Sequence, residues 1–207
     1  MRTIPMTLLA ASLAIGLAAC GGQPTGADDA DVATVPAPAT DMVEPVGPTA
    51  DMTTASTAGA MAILSATEGN SVTGEIMFEA VDGGVAITGQ VNGLPPGGEH
   101  GFHVHETGDC SAPDATSAGG HFNPAGMAHG RVGEGEHHVG DTDNIVADDT
   151  GVAVIETRLD GATLGDGAPT DVLDRGVIVH ADADDYTTQP TGNAGARLAC
   201  GVITQAT

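Results

Sequence analysis

Met61–Val91 reads MAILSATEGNSVTGEIMFEAVDGGVAITGQV, three short alternating runs separated by two glycine-bearing breaks. In the middle run the apolar residues Val72, Ile76 and Phe78 fall on one parity, and Thr73, Glu75 and Glu79 on the other. Successive side chains leave a strand on opposite faces, so this spacing gives a sheet with one apolar side. The breaks Glu68-Gly69-Asn70 and Asp82-Gly83-Gly84 carry the residue types of hairpin turns. Met61–Thr67, Val72–Glu79 and Val85–Val91 therefore read as three consecutive antiparallel strands.

Similar runs recur at Gly101–His105, Asn144–Asp148, Val152–Thr157, Gly176–His180 and Leu198–Ile203. Eight strands with turns between them predict an all-β fold, an antiparallel sandwich or flattened barrel. Aromatics are 2% of the chain and glycines number 31, so the core must come from Val, Ile, Leu, Ala and Met. From His105 to Asn144 no strand pattern appears, only Gly- and His-rich sequence, and a loop of that length in a compact domain is usually functional.

The N-terminal third differs. Arg2 precedes the apolar run Leu8–Leu17, which is too short to span a bilayer and reads as an export signal. It ends in Leu17-Ala18-Ala19-Cys20-Gly21, similar to the bacterial lipoprotein signal, in which cleavage exposes a cysteine that is then lipidated. Residues 1–19 are thus expected to be removed, leaving Cys20 as a membrane anchor in the periplasm or cell envelope. Residues 20–60, rich in Pro, Ala, Thr, Gly and Asp without apolar period, read as a disordered tether, and 61–207 as the folded domain.

Five arginines, no lysine and 28 acidic residues give a formal charge of -23. That excludes nucleic acid and anionic lipid as electrostatic partners. In an exported chain, Cys110 and Cys200 are free to oxidise.

All eight histidines lie between positions 100 and 180. His103 and His105 stand two apart on an expected strand, so both rings leave on one face. His180 closes another apolar strand, and His121, His129, His138 and Asp141 occupy the long loop. Neutral imidazole suits copper and zinc, whereas magnesium or calcium would call for oxygen ligands.

Four segments in order carry a family resemblance: Gly101-Phe102-His103-Val104-His105-Glu106, Gly119-Gly120-His121-Phe122-Asn123-Pro124, His138-Val139-Gly140-Asp141, and Gly192–Ile203 with Arg197 and Cys200 inside it. Together they resemble the copper,zinc superoxide dismutases over about Met61–Ile203. The resemblance implies an eight-stranded Greek-key barrel with long metal-binding and substrate-guiding loops. It implies copper on His103, His105, His121 and His180, and zinc on His121, His129, His138 and Asp141. His121 would serve both ions. His137 adjoins His138 as a competing ligand, but the His-Val-Gly-Asp register selects His138. His100 matches a structural position, Asp184 a carboxylate that hydrogen-bonds His103 and His129, and Cys110 with Cys200 a disulfide.

The implied reaction is dismutation of superoxide to dioxygen and hydrogen peroxide, with Arg197 orienting the anion and His121 carrying a proton. The alternative is a lipoprotein that sequesters copper and zinc without turnover. His105–Cys110 and His180–Arg197 are short, so neither loop-guided steering nor the usual dimer contact carries over, and a homodimer stays open. Without Arg2 the formal charge is 4 minus 28, or -24, which repels superoxide at long range. The local field of the metals and Arg197 is expected to win near the site.

Overall fold

The computed structural model describes residues 59–206. The expected signal, Cys20 and all of the tether before Gly59 lie outside the described residues.

Ten strands form among the described residues: β1 (Ala60–Ala66), β2 (Thr73–Val81), β3 (Gly84–Asn92), β4 (Glu99–His100), β5 (Phe102–His105), β6 (Ile145–Val146), β7 (Val152–Asp160), β8 (Gly176–His180), β9 (Arg197–Val202) and β10 (Thr204–Gln205). All pairings between them are antiparallel. The expected β1–β2–β3 meander is present, and Gly83 takes the left-handed φ of 76° that its two-residue turn requires.

The main sheet runs β5-β8-β9-β1-β2-β3-β7 and curls on itself. β1 turns the corner. Its Ala60–Leu64 stretch pairs with β2, and Ser65 and Ala66 pair with Cys200 and Ala199 of β9.

Two strands exceed the eight expected. β4 and β10 hold two residues each, too few for an alternating pattern. The expected strand Asn144–Asp148 contracts to Ile145–Val146. Its flanks bond elsewhere: Ala147 N–H donates to the Gly98 carbonyl, Asp148 N–H to that of Val152, and the Asn144 side chain turns to a loop.

Alternation settles which side chains are buried. Ile76 and Phe78 of β2, Val85, Ile87 and Val91 of β3, and Ile155 and Leu159 of β7 face inward against Phe102, Val104, Val177 and Val179. Burying each such side chain is worth roughly 1.5–3 kcal/mol. Unlike β2 and β3, strands β5 and β8 are buried along their whole length. One face of this pair belongs to the core; the other carries the histidines beneath the long loop.

Candidate metal centre

In β5, Phe102 and Val104 point into the core, so His103 and His105 leave on the far face. The same parity in β8 sends Val177 and Val179 inward and puts Ile178 and His180 beside the histidines. The loop after β5 folds back across that face. His121 forms an isolated antiparallel bridge with His105, Phe122 N–H donates to the Val104 carbonyl at 2.8 Å, and Gly140 N–H donates to that of Phe122 at 2.9 Å. Loop residues thus act as extra strand-like layers and bring distant histidines to one place.

Two groups result. His103, His105, His121 and His180 present ligand atoms within 4.8 Å of one another, as do His121, His129, His138 and Asp141, and all are buried. His121 belongs to both. His137 belongs to neither, its Nδ1–H donating to the His138 carbonyl at 2.9 Å.

Hydrogen bonds fix which nitrogen of each ring faces inward. His105 Nδ1–H donates to the Gly119 carbonyl at 2.9 Å, and His180 Nδ1–H to that of Gly195 at 3.4 Å. Their Nε2 lone pairs then face each other across 3.3 Å with no proton to share. His103 donates from Nε2 to Asp184 at 2.8 Å, leaving Nδ1 bare, while His121 donates from Nδ1 to Asp141 at 2.7 Å, leaving Nε2 bare. His103 Nδ1, His121 Nε2 and His138 Nδ1 are buried without a hydrogen-bond partner. Such atoms are costly, and converging lone pairs repel. A cation in each group relieves both costs, so the donor set fits copper in the all-imidazole group and zinc in the group with three His and one Asp.

The field of the site agrees. Burial, then the neighbouring imidazoles, holds His105 and His180 well below the usual histidine range. Burial also lowers His121 to about 4, against the pull of its Asp141 hydrogen bond. Burial lowers His129 too, but hydrogen bonds to Asp141 and Asp184 outweigh it and raise this ring to about 9. Despite burial, bonds from His121 and His129 keep Asp141 far below the carboxylate range, and bonds from His103 and His129 do the same for Asp184.

Asp184 reaches both groups, accepting from His103 Nε2 at 2.8 Å and His129 Nε2 at 2.9 Å. Three residues that hold this arrangement escaped sequence reasoning. Asn144 pairs reciprocally with the backbone of Asp184, at 2.8 and 2.9 Å. Gln189 brackets His129, accepting its N–H and donating to its carbonyl, each at 2.8 Å. Gly192 has φ 63°, and a Cβ there would collide with the Asp184 carboxylate. Asn144 stands at the start of an expected strand and Gly192 at the start of the Gly192–Ile203 segment, but neither position, nor that of Gln189, carries a local signal of these contacts.

Arg197, at the start of β9, donates to the carbonyls of Ala115 and Gly119 at 2.6 Å each, and its burial lowers its pKa. Cys110 and Cys200 form a disulfide with Cα atoms 5.8 Å apart. It joins the loop to β9 over a small cluster of Ala115, Ala118 and Ile178.

The family model described as copper/zinc superoxide dismutase matches residues 72–203, a span that contains every residue of both groups. The chain belongs to that family. Among curated family members it is similar to Superoxide dismutase [Cu-Zn] 2 of Aquifex aeolicus, 41% identical over 147 residues, covering 70% of this chain and 85% of that one. Superoxide dismutase [Cu-Zn] 1 of the same organism is 41% identical over 123 residues, covering 58% and 73%. Among solved structures, the crystal structure of the clock protein EA4 matches with a TM-score of 0.64 and 42% identity, covering 72% of this chain and 95% of that one.

Proposed function

We infer that this chain dismutes superoxide to dioxygen and hydrogen peroxide with copper on His103, His105, His121 and His180 and zinc on His121, His129, His138 and Asp141. The observation that carries this reading is His121, whose two ring nitrogens serve the two groups, Nε2 facing one and Nδ1 the other. Copper supplies one-electron exchange between its two oxidation states, and zinc a fixed, redox-inactive charge.

The residues of the chain do the rest. Arg197, its fork fixed by two carbonyls, orients the small anion. His121 Nε2 gains a proton as the first superoxide leaves as dioxygen, and gives it up as the second becomes hydrogen peroxide with one further proton from water. Two superoxides and two protons thus give one dioxygen and one hydrogen peroxide. Asp184 accepts from Nε2–H of His103 and of His129 and so leaves Nδ1 of each ring for a metal.

The same reading places the enzyme outside the cytosol, held to a membrane of the cell envelope by lipidated Cys20. Its support is the apolar run ending at Cys20 and the Cys110–Cys200 disulfide, which suits an oxidising compartment. Labelled palmitate incorporated by the wild type and lost in Cys20→Ala would bear it out; equal labelling would count against it.

Metal content and turnover of the purified protein test the main reading. One copper and one zinc per chain with rapid dismutation support it. Both metals bound without turnover would favour the sequestering alternative instead.

A further inference from the structure

A cavity of about 490 Å³ opens onto Arg197, walled by Thr67, Glu68, Asn70, Pro113 and Asp114 among others. At about 30 Å³ per water it holds more than ten, far more than a diatomic anion needs. Size therefore does not keep other anions out of the cavity that Arg197 lines.

Charge can. Two carboxylates, Glu68 and Asp114, share this wall with Arg197. Asp114 is fixed: its Oδ1 accepts from Thr116 N–H at 3.1 Å and from the Thr116 hydroxyl at 2.7 Å. The next residue, Ala115, takes a left-handed φ of 59°, and its carbonyl holds the Arg197 guanidinium. One short segment thus grips the cation through a carbonyl and sets a carboxylate beside it. Yet the arginine–carboxylate ion pairs among the described residues belong to Arg131 and Arg158, and Arg197 makes none. Its charge stays available to an incoming anion while the carboxylates act on that anion from the wall.

We propose that Asp114, together with Glu68, sets the anion selectivity of the Arg197 cavity by repelling each incoming anion in proportion to its charge. A monoanion such as superoxide meets this repulsion once and a divalent oxyanion twice, which is discrimination by a built-in unfavourable contact. One unit charge about 10 Å away in water changes monoanion binding by about twofold and dianion binding by about fourfold at low ionic strength. The proposal rests on reading Arg197 as the residue that orients the substrate anion.

Asp114→Asn keeps an oxygen for Thr116 and removes the charge. The test compares the metal-loaded full chain as wild type, Asp114→Asn, Asp114→Asn with Glu68→Gln, and Arg197→Ala, in low-salt buffer. Two quantities are read: kcat/KM for superoxide, and affinity for sodium sulfate by titration calorimetry. For Asp114→Asn, sulfate affinity should rise about fourfold and kcat/KM about twofold, with larger gains in the double variant and convergence at high ionic strength. Equal gains for the two anions, or no gain for sulfate while Arg197→Ala weakens it, overturn the selectivity role. Sulfate affinity unchanged in Arg197→Ala shows instead that Arg197 does not receive the anion, and the proposal falls with that reading.

Discussion

His105 and Arg197 hang from one atom: the Gly119 carbonyl accepts His105 Nδ1–H at 2.9 Å and Arg197 Nη2–H at 2.6 Å. An imidazole of the all-histidine group and the guanidinium proposed to orient the substrate are therefore placed by the same peptide. Gly119 immediately follows the 3-10 turn Thr116–Ala118, in the loop tied to β9 by the disulfide. The proposed metal ligand and the proposed anion-binding group are thus oriented together.

Lysine in place of Arg197 keeps the charge and loses the fork. An ammonium cannot span the Ala115 and Gly119 carbonyls as two guanidinium nitrogens do. Arg197→Lys should lower kcat/KM by about tenfold and Arg197→Ala by about a hundredfold, the scale of losing one preorganised electrostatic contact. Copper content should hold, because His105 keeps its own bond to Gly119. Pulse-radiolysis rates with elemental analysis check both halves, and loss of copper along with activity would recast Arg197 as a scaffold residue.

Among the described residues, Asp184 is the one carboxylate that touches a ring of each group without belonging to either. Asp184→Asn offers one acceptor where two N–H groups need one each. Losing such a partner costs roughly 10- to 100-fold in metal affinity, and here the loss should fall on copper and zinc alike. Competition with graded chelators measures it. A loss confined to one metal would mean that the other ring is held by its remaining contacts.

Much of the fold was legible because strand alternation is local. The parity of Phe102 and Val104 against His103 and His105 is written in four consecutive residues, and the structure keeps it. The two-residue strands β4 and β10 were not legible, since their existence depends on β6 and β1 lying alongside. The support of the site was hidden for a related reason. Asn144 acts on Asp184 forty residues away and Gln189 on His129 sixty away, and no local pattern records a contact made by folding. The residues of the two groups stood out because several rare residue types occur together in order, a signal that a lone Asn or Gln lacks.

The disulfide closes a loop of 90 residues, worth about 4–5 kcal/mol in the chain-entropy account. Replacing both cysteines by serine should therefore lower stability by about that amount in denaturant unfolding of the metal-loaded protein. Activity should fall as well, since the loop it secures carries the Ala115 and Gly119 carbonyls that grip Arg197. Stability lost with full activity kept would show that the carbonyl grip survives without the covalent tie.

The metal-free protein should be most stable near pH 6.5, with losses on both sides of different origin. His105, His121 and His180 are held below the ordinary histidine value, chiefly by burial. The unfolded chain therefore takes up protons that these rings refuse in the fold, and stability falls as pH drops below about 6.5, for His121 down to about 4. His129 runs the other way. Raised to about 9, it stabilises fully below its unfolded value, and that contribution disappears as pH rises through 9. Asp141 and Asp184, held low, lose their contribution only below the ordinary carboxylate value of about 3.9. Melting followed by circular dichroism on chelator-treated protein should give a lower Tm at both pH 4.5 and pH 9.5 than at pH 6.5. His129→Gln should abolish the alkaline decline and leave the acid one. A Tm that climbs steadily from pH 6.5 to 9.5 in the wild type would mean that Asp141 and Asp184 do not hold a proton on His129 when the metals are removed.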